Sequence, residues 1–203
     1  MKEYSKDELK KIYAGRRAKL GSYMETNGIC ATVFIDSEEH RDPAIAYYTG
    51  HGNDAVLIIF SDGFSILCPW DENLAKLYAY ADKLIPYTRY KNKAIDAVKN
   101  ILNIGYTHGI NSKVELPPYL PYLEYLRFID ALNNFDCRCS EDGCHKFTTD
   151  CRLSKDQYEI DCTKEAARIG DLIIDKIETE IRKGNIKTEM DVALLIEREC
   201  RIQ

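Results

Sequence analysis

The chain has 203 residues, of which 45% are hydrophobic and 30% are charged, a composition typical of a globular protein with a sizeable core. Its formal net charge is −5 and its Lys and Arg residues are spread along the sequence, which argues against a nucleic-acid-binding surface. The longest wholly apolar run, Ala55–Phe60, is far shorter than the ~20 residues that cross a bilayer, so we expect no membrane partner.

The amino-terminal part of the chain predicts a helix followed by a strand. The first eleven residues are polar and lack the apolar stretch of a secretory signal, so we expect a cytoplasmic protein. Ser5 and Glu8 form a capping-box pattern, and apolar residues at helical spacing predict a helix over residues 5–26. Asn27-Gly28 ends this helix, and the β-branched run Ile29–Ile35 then predicts a buried strand.

Strand and helix patterns alternate over the following residues. Two apolar runs flank Ser61-Asp62-Gly63 and predict a β-hairpin. The other predicted elements are helices over 73–81, 94–102 and 122–132 and strands over 84–87, 114–116 and 135–139. Because strands and helices interleave, we predict that residues 1–150 form an α/β domain with a mixed β-sheet flanked by helices.

The last part of the chain has a different character. It predicts one long helix over 154–183, closed by Gly184-Asn185, and a second helix over 188–202. No strand pattern follows, and the sequence stops inside the second helix without a cap or a polar tail. We therefore expect residues 151–203 to be a linker and the first helices of a truncated second domain.

A group of thiols near residue 145 is a possible metal site. Four cysteines and one histidine could surround a tetrahedral zinc ion, and they are Cys137, Cys139, Cys144, His145 and Cys151. Their spacing matches no common zinc knuckle, so an alternative is a strand and loop with small, partly buried thiols, or a redox pair. Without a secretory signal, we interpret the eight cysteines of the chain as thiols.

Other residue types give no catalytic prediction. Asp36, Asp54, Asp62 and Asp71 fall at predicted strand ends, where clustered acids could hold a metal for nuclease chemistry. Asp62 is better explained as a turn residue, and a basic groove for a polyanion is lacking. The four histidines are scattered and imply neither a Ser–His–Asp nor a Cys–His pair. We therefore assign no catalytic residue to this chain.

Three stretches together resemble the start of the creatinase, prolidase and Xaa-Pro aminopeptidase family. They are Arg16–Leu20 leading to Gly28-Ile29, then Tyr47-Tyr48-Thr49-Gly50, and finally Arg152–Lys155 with Glu159-Ile160 and Ala166-Ala167. Their order and spacing extend over nearly the whole chain. The third stretch is similar to the joint at which the family's first domain passes into its catalytic domain.

The resemblance implies an amino-terminal α/β domain with a ribonuclease-H-like motif, followed by the start of a pita-bread catalytic domain. In this family two divalent metals (manganese, zinc or cobalt) are bound by two Asp, one His and two Glu of the second domain. These ligands would come after Gln203, so the resemblance implies no cofactor and no metal ligand in this chain. The parent protein would cleave peptides before proline, as a homodimer or a higher homo-oligomer.

The same resemblance suggests which residues could face the substrate entrance. These are Tyr48, Gly50, His51 and Trp70, although packing is an alternative role for Tyr48 and Trp70. The expected function is a non-catalytic amino-terminal domain that shapes the entrance and builds an oligomer interface. Two alternatives remain: a stand-alone or pseudo-enzyme module of the same fold that binds proteins, and a zinc-stabilised interaction domain.

Overall fold

The computed structural model describes residues 3–91, 93–105 and 112–202. The chain forms two compact units, Tyr4–Leu153 and a helical unit that contains Ser154–Gln203. The helices of the first unit are α1 (Lys6–Asn27), α2 (Pro43–Thr49), α3 (Glu72–Tyr78), α4 (Ala94–Gly105), α5 (Tyr122–Ala131) and α6 (Cys144–Leu153). Its strands are β1 (Ile29–Asp36), β2 (Ala55–Phe60), β3 (Ser65–Pro69), β4 (Lys83–Leu84), β5 (Ser112–Glu115) and β6 (Phe135–Arg138).

The strands of the described residues form one six-stranded sheet in the order β4-β3-β2-β1-β5-β6. The pairs β1–β2 and β2–β3 are antiparallel, whereas β3–β4, β1–β5 and β5–β6 are parallel. The predicted α/β class with a mixed sheet is therefore confirmed. The predicted hairpin is confirmed as well: β2 and β3 are joined by a turn in which Gly63 has a positive φ of 83°.

The core consists of two apolar layers, one on each face of the sheet. Val33 and Ile58 point into the layer that α4 and α5 cover, whereas Phe34 and Leu57 point into the layer that α1 and α2 cover. Successive side chains of a strand point to opposite faces, which explains why strands β1 and β2 supply both layers. All six residues of β2 are buried, as expected for a central strand with both faces covered.

Helix α1 begins and ends as the sequence predicts. Ser5 and Glu8 form the reciprocal capping box, and Gly28 closes the helix in the left-handed conformation with a φ of 66°. Gly21 lies where α1 crosses the β2–β3 hairpin, and a Cβ atom placed on it would meet the Ser61 carbonyl oxygen at 2.5 Å. The helix therefore needs a glycine here in order to approach the backbone of the hairpin so closely.

We expect Gly21→Ala to lower the free energy of unfolding by about 1–3 kcal/mol, because a methyl group pushed against a backbone carbonyl overpacks the contact. Gly15 lies on the same helix, and a Cβ atom placed on it would have no described heavy atom from outside the helix backbone within 4 Å. Gly15→Ala is therefore the matched control, and we expect it to raise the stability by about 0.5–1 kcal/mol through helix propensity. Urea denaturation measures the free energy of unfolding of both variants. If Gly15→Ala were destabilised as much as Gly21→Ala, the importance of the close approach at Gly21 would be contradicted.

Several elements differ from the sequence predictions, which contain neither α2 nor α6. Helix α6 is not predicted, because its sequence is polar and rich in Cys, Thr and His, residues with modest helix propensity. The strand predicted over 84–87 is reduced to the two residues of β4, and a 3₁₀ turn, Tyr87–Tyr90, follows it. Pro86 explains the early end of the strand, since proline has no backbone N–H to donate to the ladder.

The second unit contains two helices, α7 (Gln157–Arg182) and α8 (Glu189–Ile202). Helix α7 begins three residues later than predicted, because Asp156 caps it in a reciprocal capping box with Glu159. Lys176 of α7 and Glu199 of α8 form an ion pair of 2.6 Å, and Ile173 and Leu195 are buried. In the described part of the chain, no helix is both long and apolar enough to cross a membrane.

Candidate functional site

Beyond the ends of the neighbouring parallel strands β1 and β5, the chain continues on opposite faces of the sheet. From β1 it continues into α2, whose Ile45 and Tyr48 pack in the same layer as Phe34. From β5 it continues into α5, whose Phe128 packs in the opposite layer. In open α/β sheets, such a switch point opens a crevice beyond the carboxyl ends of the strands, which is the usual place for a ligand.

Asp42 lies at the centre of this crevice and begins α2. Its Oδ1 accepts a hydrogen bond of 2.9 Å from the Ala44 N–H and so caps the helix, which Pro43 opens. Its own backbone N–H donates to Asp36 Oδ1 at 2.8 Å, which ties α2 to the end of β1. Both aspartates are 7% exposed. The position of Asp42 is therefore fixed from both sides by backbone hydrogen bonds.

Tyr119 joins Asp42 to strand β1. Its hydroxyl lies 2.8 Å from Asp42 Oδ2 and 2.8 Å from the Ile35 carbonyl oxygen, and it accepts a longer bond from the Ile35 N–H. A phenol has one proton, so the two oxygens compete for the same donor. Burial and the adjacent Asp42 carboxylate raise the pKa of Tyr119, which keeps the phenol protonated and able to donate.

His145, the second residue of α6, completes the crevice. Its Nε2 lies 3.6 Å from Asp42 Oδ2, and its side chain is 10% exposed. The ring lies against Phe34 and presents an edge contact to Tyr119, with centroid distances of 4.5 Å and 5.7 Å. Neither ring nitrogen has a hydrogen-bond partner among the described residues. The protein therefore holds this imidazole in place by packing and leaves its polar atoms unsatisfied.

The acids around His145 have shifted pKa values. Burial acts to raise the pKa of Asp42, but the His145 ring, the Ala44 N–H and the Tyr119 hydroxyl together lower it below its ordinary value. Glu115, at the end of β5, accepts a hydrogen bond of 2.6 Å from the Cys144 N–H. Burial raises the pKa of Glu115, although this N–H and the nearby His145 act in the opposite direction.

Two pockets open at the crevice. One has a volume of 330 Å³ and is lined by Asp42, His145 and the outward face of α6. The other has a volume of 880 Å³ and lies towards Tyr87 and α5. The stacked rings of His40 and Tyr119, 3.8 Å apart, line both pockets and form the wall between them. The arrangement can accommodate a small ligand beside α6 and Tyr119.

The residues predicted for a substrate entrance do not lie together on one surface. Tyr48 is fully buried and His51 is 1% exposed, whereas Trp70 is 59% exposed. Gly50 ends α2 in the left-handed conformation with a φ of 77°. Burial lowers the pKa of His51, against the raising effect of Asp71 and Asp36, which favours a neutral ring. Trp70 alone among the four presents a large accessible surface.

The Tyr48 hydroxyl lies 2.8 Å from Thr148 Oγ1 in the buried contact between α2 and α6. Thr148 donates its own proton to the Cys144 carbonyl, so Tyr48 is the donor of the pair. We expect Tyr48→Phe to lower the free energy of unfolding by about 1 kcal/mol, the usual loss for one buried hydrogen bond. Tyr122→Phe is the control, since Tyr122 is 73% exposed, and it should change the stability by less than about 0.5 kcal/mol. Equal effects of the two variants in urea denaturation would contradict this role of Tyr48.

The two arginines of the first motif anchor α1 to the end of α2. Arg17 is 2% exposed, and its Nη1 donates to the carbonyl oxygens of Tyr48 and Tyr80 at 2.9 Å each. Its Nη2 lies 3.3 Å from Asp82. Arg16 donates to the Tyr47 carbonyl at 2.8 Å and stacks over the Tyr47 ring. The resemblance motifs around residues 16–17 and 47–50 are therefore in direct contact.

The five residues considered as a zinc site are not brought together. Cys137 packs against the layer that contains Val33, whereas Cys144 is buried in the layer that contains Phe34, so the sheet separates the two thiols. Cys139 is exposed and donates to the Pro117 carbonyl. Among the described residues, no three His, Cys, Asp or Glu side chains are arranged to hold a metal ion. Burial raises the pKa of Cys137 to about 11, which favours the thiol form.

Sequence reasoning missed the crevice, although one local signal was present. Asp42-Pro43 is an N-cap followed by proline at the first helical position, which would have predicted the start of α2. The contact of Tyr119 with Ile35 joins residues 84 positions apart and has no local signal. His145 entered the sequence analysis only as a possible zinc ligand.

Comparisons with solved structures agree on one fold. The X-Pro aminopeptidase from Thermotoga maritima matches 91% of this chain with a TM-score of 0.69 and 19% identity, and this match covers 48% of that protein. The prolidase from Pyrococcus horikoshii matches 93% of the chain with a TM-score of 0.63 and 19% identity, again over 48% of its length. An Xaa-Pro aminopeptidase from Streptococcus pyogenes matches 68% of the chain with a TM-score of 0.53 and 14% identity, over 98% of that chain.

The chain thus spans about half the length of the Thermotoga and Pyrococcus proteins. At these identities the likeness establishes a shared fold, and it confirms the fold that the three sequence motifs predicted. No protein-family model matches the sequence, and no curated protein sequence is significantly similar to it.

Proposed function

We propose that this chain is the non-catalytic amino-terminal domain of a metal-dependent peptidase that cleaves the bond before a proline. The observation that carries the proposal is the match of 91–93% of the chain with about half of an X-Pro aminopeptidase and of a prolidase. The catalytic residues would belong to the other half. The domain would shape the substrate entrance and contribute to an oligomer interface.

The side chains of the described residues do not fit the two divalent metals of such an enzyme. Asp36, Asp42 and Glu115 are buried acids of the first unit, but all three use their carboxylates to accept backbone hydrogen bonds. No third ligand joins Asp42 and His145 within the described residues. The proposal therefore places the manganese, zinc or cobalt ions in the other half of the protein.

Exposed apolar side chains support a role in assembly. Trp70, Leu77 and Tyr78 are exposed at 59%, 62% and 59%, and large exposed apolar side chains are available for contact with a partner. We propose that Trp70 lies at an interface with a second copy, near the substrate entrance. The proposal includes a cytoplasmic location, in which the eight cysteines of the chain would remain thiols.

Peptide hydrolysis by the full-length natural protein, which the proposal expects to be longer than this chain, tests the proposal. The protein would be loaded with Mn²⁺ and incubated with Xaa-Pro peptides, with the same peptides lacking proline as a control. We expect cleavage before proline by the longer protein and none by the chain of 203 residues. Absence of cleavage by the longer, folded protein would contradict the proposal and would favour a pseudo-enzyme module that binds proteins.

A further inference from the structure

Strand β6 forms one edge of the six-stranded sheet, and among the described residues no strand pairs with its outer side. The Arg138 carbonyl accepts a hydrogen bond of 2.8 Å from the Leu116 N–H, so Arg138 directs its backbone groups towards β5. Because the backbone groups of a strand alternate in direction, those of Phe135, Cys137 and Cys139 point outwards. A row of outward N–H and C=O groups is a template on which another strand can pair.

Only part of this edge is already satisfied. The Phe135 N–H donates to the Leu132 carbonyl at 2.9 Å. The Tyr125 hydroxyl donates to the Cys137 carbonyl at 3.3 Å, a long bond that leaves the second lone pair of this oxygen free. No other hydrogen bond of these outward backbone groups occurs within the described ranges, so the edge can take a further strand.

The charges of β6 are complementary to those of a second copy of the same strand. In an antiparallel pair centred on Cys137, Asp136 of each copy lies opposite Arg138 of the other. Opposite charges in opposed positions stabilise a strand pair, whereas like charges destabilise it. A register shifted by two residues would place the two Asp136 side chains, or the two Arg138 side chains, opposite each other. The charge pattern therefore favours one register of this pair.

Both charged side chains are accessible to a partner. Asp136 and Arg138 are 37% and 60% exposed, and within one copy they pair with each other at 2.8 Å. In the antiparallel arrangement the two intrachain pairs would join into one network of four charges. Networks of several charges contribute more than an isolated surface pair.

Helix α5 adds an apolar surface beside the same edge. Tyr122, Leu126 and Ile129 recur at helical spacing and are exposed at 73%, 38% and 37%. Arg127, on another side of the helix, lines a pocket together with residues of α4. The apolar stripe therefore faces away from α4, and it lies next to Tyr125, which reaches the outer side of β6. The edge of β6 and the stripe of α5 form one continuous surface.

We propose that two copies of this chain associate through β6 and α5, with their six-stranded sheets joined edge to edge. A two-fold axis at Cys137 would place the two α5 helices side by side on the same face of the joined sheet. Neighbouring strands are about 4.8 Å apart, so helices above the two edge strands would come within reach of the roughly 8–10 Å at which helices pack. A second copy is the favoured partner because charges and apolar stripe each find their complement in themselves, as a two-fold contact requires.

This contact differs from the one proposed around Trp70, because β3 and β6 are separated by three strands of the sheet. It specifies a surface for the oligomer role of the proposed function and rests on that role. Its test measures association of the chain and not peptide cleavage. The contact can therefore fail while cleavage by the full-length protein stands, and the reverse also holds.

Sedimentation velocity of the chain of 203 residues tests the proposal, with concentrations between about 1 μM and 1 mM. We expect a reversible dimer whose fraction rises with concentration. Asp136→Arg and Arg138→Asp each place like charges in opposition, so each should raise the dissociation constant about tenfold or more. The double variant Asp136→Arg/Arg138→Asp restores the opposition of unlike charges and should restore the dimer.

Lys99→Asp is the matched control, because Lys99 is exposed on α4, on the far side of α5 from the edge, and should leave the dissociation constant unchanged. Leu126→Arg, at the centre of the apolar stripe, should weaken the dimer. Circular dichroism verifies that each variant is folded, and the double variant serves if a single variant is not. A wild-type chain that stays monomeric, single variants that dimerise normally, or a folded double variant that stays monomeric would each overturn the proposal. A monomeric wild type would leave this surface to another partner, such as the other half of the protein.

Discussion

Replacing Arg17 with methionine is expected to lower the free energy of unfolding by about 3 kcal/mol or more, the largest effect of any substitution that we predict. The guanidinium of Arg17 is buried and serves three acceptors, the carbonyl oxygens of Tyr48 and Tyr80 and the carboxylate of Asp82. Methionine has a similar shape but no donor, so both carbonyl oxygens lose their side-chain partner inside the protein. Asp82 keeps its hydrogen bonds from Ser65, which limits the loss on that side.

Urea denaturation measures this effect, and Arg201→Met is the matched control. Arg201 pairs with Glu197 on the surface of α8, where its side chain is 77% exposed. A surface pair of this kind is worth less than about 1 kcal/mol. If Arg17→Met lowered the free energy of unfolding no more than Arg201→Met does, the conclusion that Arg17 anchors α1 to the end of α2 would be wrong.

Replacing Asp42 with alanine is expected to lower the free energy of unfolding by about 2–3 kcal/mol near neutral pH. The substitution removes the cap of α2, worth about 1 kcal/mol, and leaves the Tyr119 hydroxyl with one acceptor instead of two. Asp71→Ala is the control, because Asp71 caps α3 through the Leu74 N–H at an exposed position. We expect only the loss of a cap there, about 1 kcal/mol.

The effect of Asp42 should also depend on pH. The pKa of Asp42 is lower in the folded protein than in the unfolded chain, so its stabilising contribution is complete above the unfolded value of about 4. The contribution is lost as the pH falls from there through the folded pKa. The difference in stability between wild type and Asp42→Ala should therefore narrow below about pH 4. A difference that stays constant down to about pH 3 would contradict a stabilised carboxylate at this position.

Local signals explain the elements that the sequence predicted well. The capping box at Ser5 and Glu8, the turn at Gly63 and the β-branched runs of β1 and β2 act within a few residues, so the sequence alone shows them. The mixed sheet followed from the alternation of these elements. The family resemblance added the fold, and its motifs prove to be contact partners, since Arg16 and Arg17 bind the carbonyl oxygens of Tyr47 and Tyr48.

The candidate site depends on contacts that have no local signal. Helix α6 is stabilised by tertiary contacts such as Tyr48 with Thr148 and Glu115 with the Cys144 N–H, and its sequence has little helix propensity of its own. The crevice forms because α2 and α5 leave the sheet on opposite faces, which spacing along the chain does not reveal. For the same reason the spacing of the cysteines does not reveal their placement, because Cys137 and Cys144 are near in sequence but lie in different core layers.

The proposed role predicts a second, catalytic half for the natural protein. Because the chain matches about half of an X-Pro aminopeptidase and of a prolidase, the predicted catalytic half would be about as long as this chain. The most direct measurement is the length and sequence of the natural open reading frame beyond the Gln203 codon. We predict that it continues for about as many residues again and supplies two Asp, one His and two Glu in the family's order. A stop codon directly after Gln203, or a continuation without these ligands, would contradict the role as a peptidase domain.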